Sequence, residues 1–306
     1  MPGATEVVVT LGLGEALVGI SHECDYPAAV VRDVPIMVQA AITSEDTDSA
    51  AIDRQVKSLR SSGQPLYRLD ERAFDAARPD IILTQDVCHV CAITPHQLER
   101  VVQSLSPRPR LVTLAPHSLA EVIDDVERIG AALGVASRGI DLARSLRSRI
   151  DAVRKFSAGR LRPRVICLEW LDPLYVGGHW VPEMVEIAGG RDALGQAGQP
   201  SRGVTMDEVL TATRDIIIAM PCGFSVSRTV SEVTDVCRRN AACSQLLRSA
   251  KSYAVDAASY FSRPGPRLVD GVELLADIFA GAASHHRSSD SVVNLTGTPC
   301  LTGHSL

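Results

Sequence analysis

The sequence predicts an α/β protein of two lobes, and three observations predict it. Short continuous apolar runs, Asp80-Ile81-Ile82-Leu83-Thr84-Gln85-Asp86 and Asp215-Ile216-Ile217-Ile218-Ala219-Met220, have the character of strands covered on both faces. Segments of helical spacing separate such runs, so strands and helices alternate as in parallel-sheet folds. A length of 306 residues suits two lobes better than one.

The elements follow in order. Residues 4–14 form a helix with Val7, Val8 and Leu11 as its apolar positions. Ala16–Ile20 is a strand that ends at the polar loop His22-Glu23-Cys24-Asp25-Tyr26-Pro27. Pro35–Val38 is a second strand, and Ile52, Val56 and Leu59 mark a helix stopped by Ser61-Ser62-Gly63. Leu66–Leu69 is a strand, Glu71–Ala77 a short helix, and 80–86 the clearest strand of the first lobe, running into Val87-Cys88-His89-Val90-Cys91. Thr94 caps a helix that begins at Pro95, and Arg110–Ala115 is the last strand of the lobe. Leu119, Val122, Val126, Ile129 and Leu133 share a helix face; Leu142, Leu146, Ile150 and Val153 define a helix long enough to bridge two lobes. Arg164–Trp170, Asp215–Met220 and Ser252–Asp256 are strands of the second lobe, with helices at Pro182–Ala188 and Leu268–Ala280. The expected organisation is an N-terminal lobe over 1–116, connecting helices over 117–160, a C-terminal lobe over 161–283 and a disordered tail over 284–306.

Bulk properties exclude several classes. A net charge of −5 gives a nucleic-acid role no electrostatic support. No run of apolar residues is long enough to span a membrane. The first residues lack the basic region of a secretory signal, so the chain as written reads as cytoplasmic, with its eight cysteines reduced or serving as ligands.

Several motifs carry a family likeness: Gly3-Ala4-Thr5-Glu6 with Leu11-Gly12-Leu13-Gly14, Cys24-Asp25-Tyr26-Pro27, Arg78-Pro79-Asp80-Ile81-Ile82, and Trp180-Val181-Pro182-Glu183 with Ala188-Gly189-Gly190. On these the chain resembles class III periplasmic solute-binding proteins, most closely the cobalamin-binding branch, in a cysteine-rich form. The resemblance implies two α/β lobes with mainly parallel sheets, joined by a long helix, with a shallow ligand cleft between the lobes. Members of the family open with a strand before the Pro-x-Ala-Thr-Glu segment, where this chain has only Met1. The expectation is a start further upstream, restoring a strand and an export signal that would make the protein periplasmic or extracellular, or else a first sheet short of one strand.

Cys24, Cys88, Cys91 and Cys222 all lie just past predicted strand ends, where thiolates suit zinc or an iron–sulfur cluster; the alternative is cysteine as a small buried hydrophobe. Cys167, inside a strand, reads as core. His22 can meet a ligand or its metal, and Tyr26 can pack on a flat ring. Glu169 and Trp170 end a second-lobe strand, and Trp180 follows, either lining a cleft or stapling the next helix. Phe261 and Arg263 stand in a Pro/Gly loop that can close over an anion. The function expected is a binder of cobalamin, another corrinoid or a related metal complex, with an ABC permease as partner only if an export signal lies upstream. The alternative is a cytosolic metalloenzyme with a cysteine-ligated metal or cluster in the same cleft.

Overall fold

The computed structural model describes residues 1–44, 47–87, 95–281 and 290–296. Two units emerge: Met1–Thr47 with Arg54–Arg147 and Pro264–Pro266, and Asp48–Asp53 with Ser148–Arg263 and Arg267–Leu306.

The first unit opens with α1 (Pro2–Thr10), where proline at the first turn costs no hydrogen bond. Its Gly3, Ala4, Val7 and Val8 are buried. Gly3 is required by close approach, since a Cβ there would sit 1.9 Å from the Pro264 carbonyl oxygen. Two small sheets follow. In one, β1 (Ile20–Ser21) runs parallel to β2 (Ile36–Ala40), which pairs antiparallel with β3 (Tyr67–Leu69). In the other, β4 (Ile81–Gln85) pairs parallel with β5 (Arg110–Leu114) over five residues.

The expected strand over Ala16–Ile20 is thus much shorter. Gly14–Ala16 is a 3-10 turn, and β1 pairs with β2 only at Ile20 and Ser21. The expectation that β4 is covered on both faces also fails: Ile82 and Thr84 are buried, whereas Ile81, Leu83 and Gln85 are half-buried.

Helices α2 (Ala28–Val31), α3 (Ser49–Ser61), α4 (Glu71–Ala77) and α5 (Pro95–Ser104) separate the strands. Asp70 caps α4 by accepting from the Ala73 amide at 3.0 Å. Met37, Phe74, Ile82, Leu98 and Val101 form the core beneath them. Next come α6 (Leu119–Ala132), capped by Ser118, and the long α7 (Ala136–Ser157). They pack closely because both contact positions are glycine, a Cβ on Gly130 falling 2.9 Å from the Gly139 Cα.

The second unit is built on one continuous sheet of seven strands, ordered β12-β11-β10-β6-β7-β9, with β8 also paired to β6. Its centre is parallel: β6 (Arg164–Leu171), β10 (Ile216–Ala219) and β11 (Lys251–Val255). Every side chain of β10 is buried, and each large one stabilises the fold by about 2 kcal/mol. The periphery holds β7 (Leu174–Val176), β8 (Arg191–Asp192) and β9 (Arg202–Gly203). Helices α8 (Val181–Ile187), α9 (Met206–Thr211), α10 (Val226–Arg239), α11 (Ala241–Arg248), α12 (Ala257–Tyr260) and α13 (Leu268–Phe279) complete the unit.

One strand falls inside the stretch expected to be disordered. Val292–Asn294 forms β12, antiparallel to β11, and Leu295 beside it is 1% exposed. A strand of three residues is too short to show periodicity, but long enough to pair with an open sheet edge.

Candidate ligand-binding site

In an open α/β sheet, ligands meet the loops at the carboxyl ends of the parallel strands. Each unit presents such loops.

In the first unit β1 feeds the His22–Pro27 loop. The His22 amide donates to Val38 O at 2.9 Å, its Nδ1 lies 3.2 Å from the same oxygen, and its Nε2 lies 3.3 Å from Glu23 Oε1. The hydrogen bond to Glu23 holds the imidazole pKa above its ordinary value against the opposing effect of burial. Both ring nitrogens thus lie within reach of acceptors in the protein, Val38 O and Glu23 Oε1. Tyr26 is 47% exposed. Cys24 is 5% exposed, with Thr5 Oγ1 at 3.1 Å and Ser21 Oγ at 3.3 Å from its sulfur. It is a packed, hydrogen-bonded thiol in the small cluster of Ile20 and Val31.

In the second unit β6 delivers Glu169 and Trp170, and β10 delivers Cys222 and Phe224. Glu169 accepts from Ser201 Oγ at 2.6 Å, and its carbonyl accepts the Cys222 amide at 3.0 Å. The half-buried Trp170 donates its indole N–H to Ser49 O at 3.2 Å. Its ring meets Phe224 edge-on, with centroids 5.5 Å apart. Arg228 sits over the Phe224 ring, its guanidinium carbon 3.6 Å from the centroid. Trp170, Phe224 and Arg228 thus form one cluster at adjacent strand ends, Trp170 meeting Phe224 edge-on and Arg228 lying over its face.

Two expected ligand contacts are core instead. Trp180 is 5% exposed and donates its indole N–H to Phe261 O at 2.7 Å, and Phe261 is itself 3% exposed. Their aromatic area is spent on packing α8 and the loop before α13. Arg263 is half-buried and acts electrostatically on Asp256. Cys167 is fully buried, as expected of core, and burial drives its thiol pKa well up. Cys88 and Cys91 lie outside the described residues. Among the described residues, no group of three or more His, Cys, Asp or Glu side chains is arranged to hold a metal.

The sequence reading missed Arg228 and Ser201. Arg228 stands in the first turn of α10, whose Ser225 cap followed by apolar residues at 226, 230, 233 and 236 is a helix signal in hindsight. Ser201 joins Glu169 across 32 positions, which no local pattern encodes.

No protein-family model matches the chain, and no curated sequence does. Solved structures do. The periplasmic heme-binding protein RhuT from Roseiflexus sp. RS-1, in apo form, is similar at 21% identity, over 92% of this chain and 96% of that one, with a TM-score of 0.66. The periplasmic vitamin B12-binding protein BtuF of Vibrio cholerae is similar at 20% identity, over 92% and 95%, with a TM-score of 0.62. A periplasmic heme-binding protein from Pseudomonas aeruginosa is similar at 18% identity, over 96% and 95%, with a TM-score of 0.68. The chain has the two-lobe α/β fold of these periplasmic binding proteins, with mainly parallel sheets.

Proposed function

We propose that the protein is a solute-binding protein whose ligand is a flat metal complex, a corrinoid or a heme-type macrocycle. The observation that carries this reading is the cluster of Trp170, Phe224 and Arg228 at the carboxyl ends of β6 and β10. An aromatic edge beside a planar cation suits a large ring with anionic side groups: the ring packs on Trp170 and the acidic groups meet the guanidinium. Fold likeness to proteins named for heme and vitamin B12 supports the same class of ligand.

His22 and Tyr26 belong to the reading in the first unit. Tyr26 contributes packing surface, and His22, whose ring nitrogens already meet Val38 O and Glu23, contributes a polar group instead of a metal ligand. The cysteine-ligated metalloenzyme loses ground here, because Cys24 is packed among Thr5, Ser21 and the core. Among the described residues no helix is long and apolar enough to cross a membrane. The similar proteins are periplasmic, which supports an exported location and an ABC permease as partner and leaves the cytoplasmic expectation without support.

The test is a titration of the full chain with hemin and, separately, with aquocobalamin, followed in the visible bands of each complex. Micromolar or tighter binding of one of them is expected, weakened about 10-fold by Trp170→Ala. If neither spectrum responds to the protein, the reading fails.

A further inference from the structure

Cys237 stands in the last turn of α10 and Cys243 in the first turn of α11. Asn240 makes the corner between them. Its amide donates to Val236 O at 2.8 Å, and its side-chain oxygen accepts the Ala242 and Cys243 amides at 3.0 and 3.3 Å. One residue thus closes α10 and caps α11. The corner folds both helices onto one core, where Cys237, 6% exposed, and Cys243, 1% exposed, are buried with Val233, Leu246 and Leu247. Both are free thiols, and they are hydrogen-bonded to each other.

The contact makes the two sulfurs chemically unequal. The hydrogen bond from Cys237 lowers the Cys243 pKa. Donating that bond raises the Cys237 pKa, and burial adds to the rise. Cys243 is therefore the readier nucleophile and Cys237 the thiol that holds its proton. Cysteine as a small buried hydrophobe accounts for the burial of each side chain. It does not account for two thiols meeting across a helix corner.

We propose that Cys237 and Cys243 are a dithiol that closes to a disulfide, with a small-molecule disulfide as oxidant, and so staples the end of α10 to the start of α11. The Cys243 thiolate attacks one sulfur of the small disulfide, and the other half leaves with the proton that Cys243 gave up. Cys237 then attacks the Cys243 sulfur, and the second half leaves with the Cys237 proton. Two protein thiols are oxidised, and one disulfide is reduced to two thiols. Both sulfurs are shielded in the folded chain, so exchange runs when α11 opens locally. An exported location supplies the oxidising surroundings in which such a bond persists. Arg228 stands near the opposite end of α10, about 14 Å along the helix. Closure therefore leaves the ligand-binding cluster in place, and its test is independent of whether hemin or aquocobalamin binds.

The full chain is incubated with glutathione disulfide in urea below its unfolding midpoint, its remaining thiols are alkylated, and it is digested with trypsin without reductant. Cleavage after Arg228, Arg238 and Arg239 places the two cysteines in separate peptides, 229–238 and 240–248, with one cysteine each. The two peptides are expected as one disulfide-linked species in most molecules, parting on reduction. Without glutathione disulfide they are expected apart and alkylated. The oxidised chain is expected to melt about 5 °C above the reduced one, and the difference should vanish in Cys243→Ser. Absence of the linked species from the unsubstituted chain overturns the proposal, as does a stable glutathione adduct on either peptide in its place. A melting difference that is absent, or that persists in Cys243→Ser, overturns the staple. Should Cys243→Ser fail to fold, the peptide map of the unsubstituted chain decides alone.

Discussion

In the second unit β10 lies between two parallel neighbours, β6 and β11, and all of its side chains are buried. In the first unit β4 pairs, among the described residues, with β5 alone, and only alternate side chains are buried. The two strands are close in composition, Ile81-Ile82-Leu83-Thr84-Gln85 against Ile216-Ile217-Ile218-Ala219. The difference lies in their neighbours and not in the strands themselves. A continuous apolar run states that a strand suits cover on both faces; whether the cover is supplied depends on residues elsewhere.

The largest expected effect sets these strands against each other. Ile218→Ala removes a side chain that is 0% exposed and should cost about 2–5 kcal/mol. Leu83→Ala removes a half-buried one and should cost about 1 kcal/mol. Both tryptophans, Trp170 and Trp180, belong to the second unit, so denaturant unfolding followed by their fluorescence reports on Ile218→Ala. Exchange of the β4 amides reports on Leu83→Ala. Equal losses would mean that β4 is as well covered as β10.

Ile82→Ala sharpens the point within a single strand. Ile82 is 9% exposed and packs with Phe74 and Leu98 in the first-unit core. Its loss should cost about 2 kcal/mol more than that of its neighbour Leu83, read by the same exchange experiment. Near-equality would show that β4 has no distinct inner face.

Particular residues show what the sequence made legible. One capped helix was readable: Glu71–Ala77 matches α4, where Asp70 supplies a cap and Arg78-Pro79 a stop, whereas α9, with Thr205 and Glu208 capping each other, was not read. The parallel strands of the second unit were readable because cover on both faces needs an uninterrupted apolar run. Strand β12 was not, since its partner β11 lies about 40 positions away and three residues carry no period. For the site, the loops after β1, β6 and β10 could be read as ligand-facing from their position alone. Which aromatics stay accessible could not. Both tryptophans stand beside polar loop residues in sequence, yet Trp170 meets Phe224 edge-on at a strand end and Trp180 bonds inward to Phe261. That choice is made by tertiary partners tens of residues distant.

The smallest expected effect separates the two units by pH. In the first, Glu23 raises the His22 pKa above its ordinary value. A raised value means that protons bind the folded form more tightly. The associated stability is fully present below the unfolded histidine value, near 6.5, and is lost as pH rises through the folded value. Glu23→Gln should therefore lower the stability of the first unit at pH 5.5 and change it little at pH 8.5. In the second unit the opposite holds for Asp215, which the Arg164 side chain and amide hold down at about 2. Its contribution is present above the unfolded carboxylate value, near 3.9, and disappears as pH falls toward 2. Asp215→Asn should thus remove stability from the second unit at neutral pH and above, with the difference from the unsubstituted chain closing in acid. The effect is small because the pair is exposed to solvent. Melting curves at pH 2.5, 5.5 and 8.5, with exchange of the β4 amides for the first unit and tryptophan fluorescence for the second, read the two dependences separately. If Glu23→Gln is as costly at pH 8.5 as at pH 5.5, the contact between His22 and Glu23 is held by packing and not by charge.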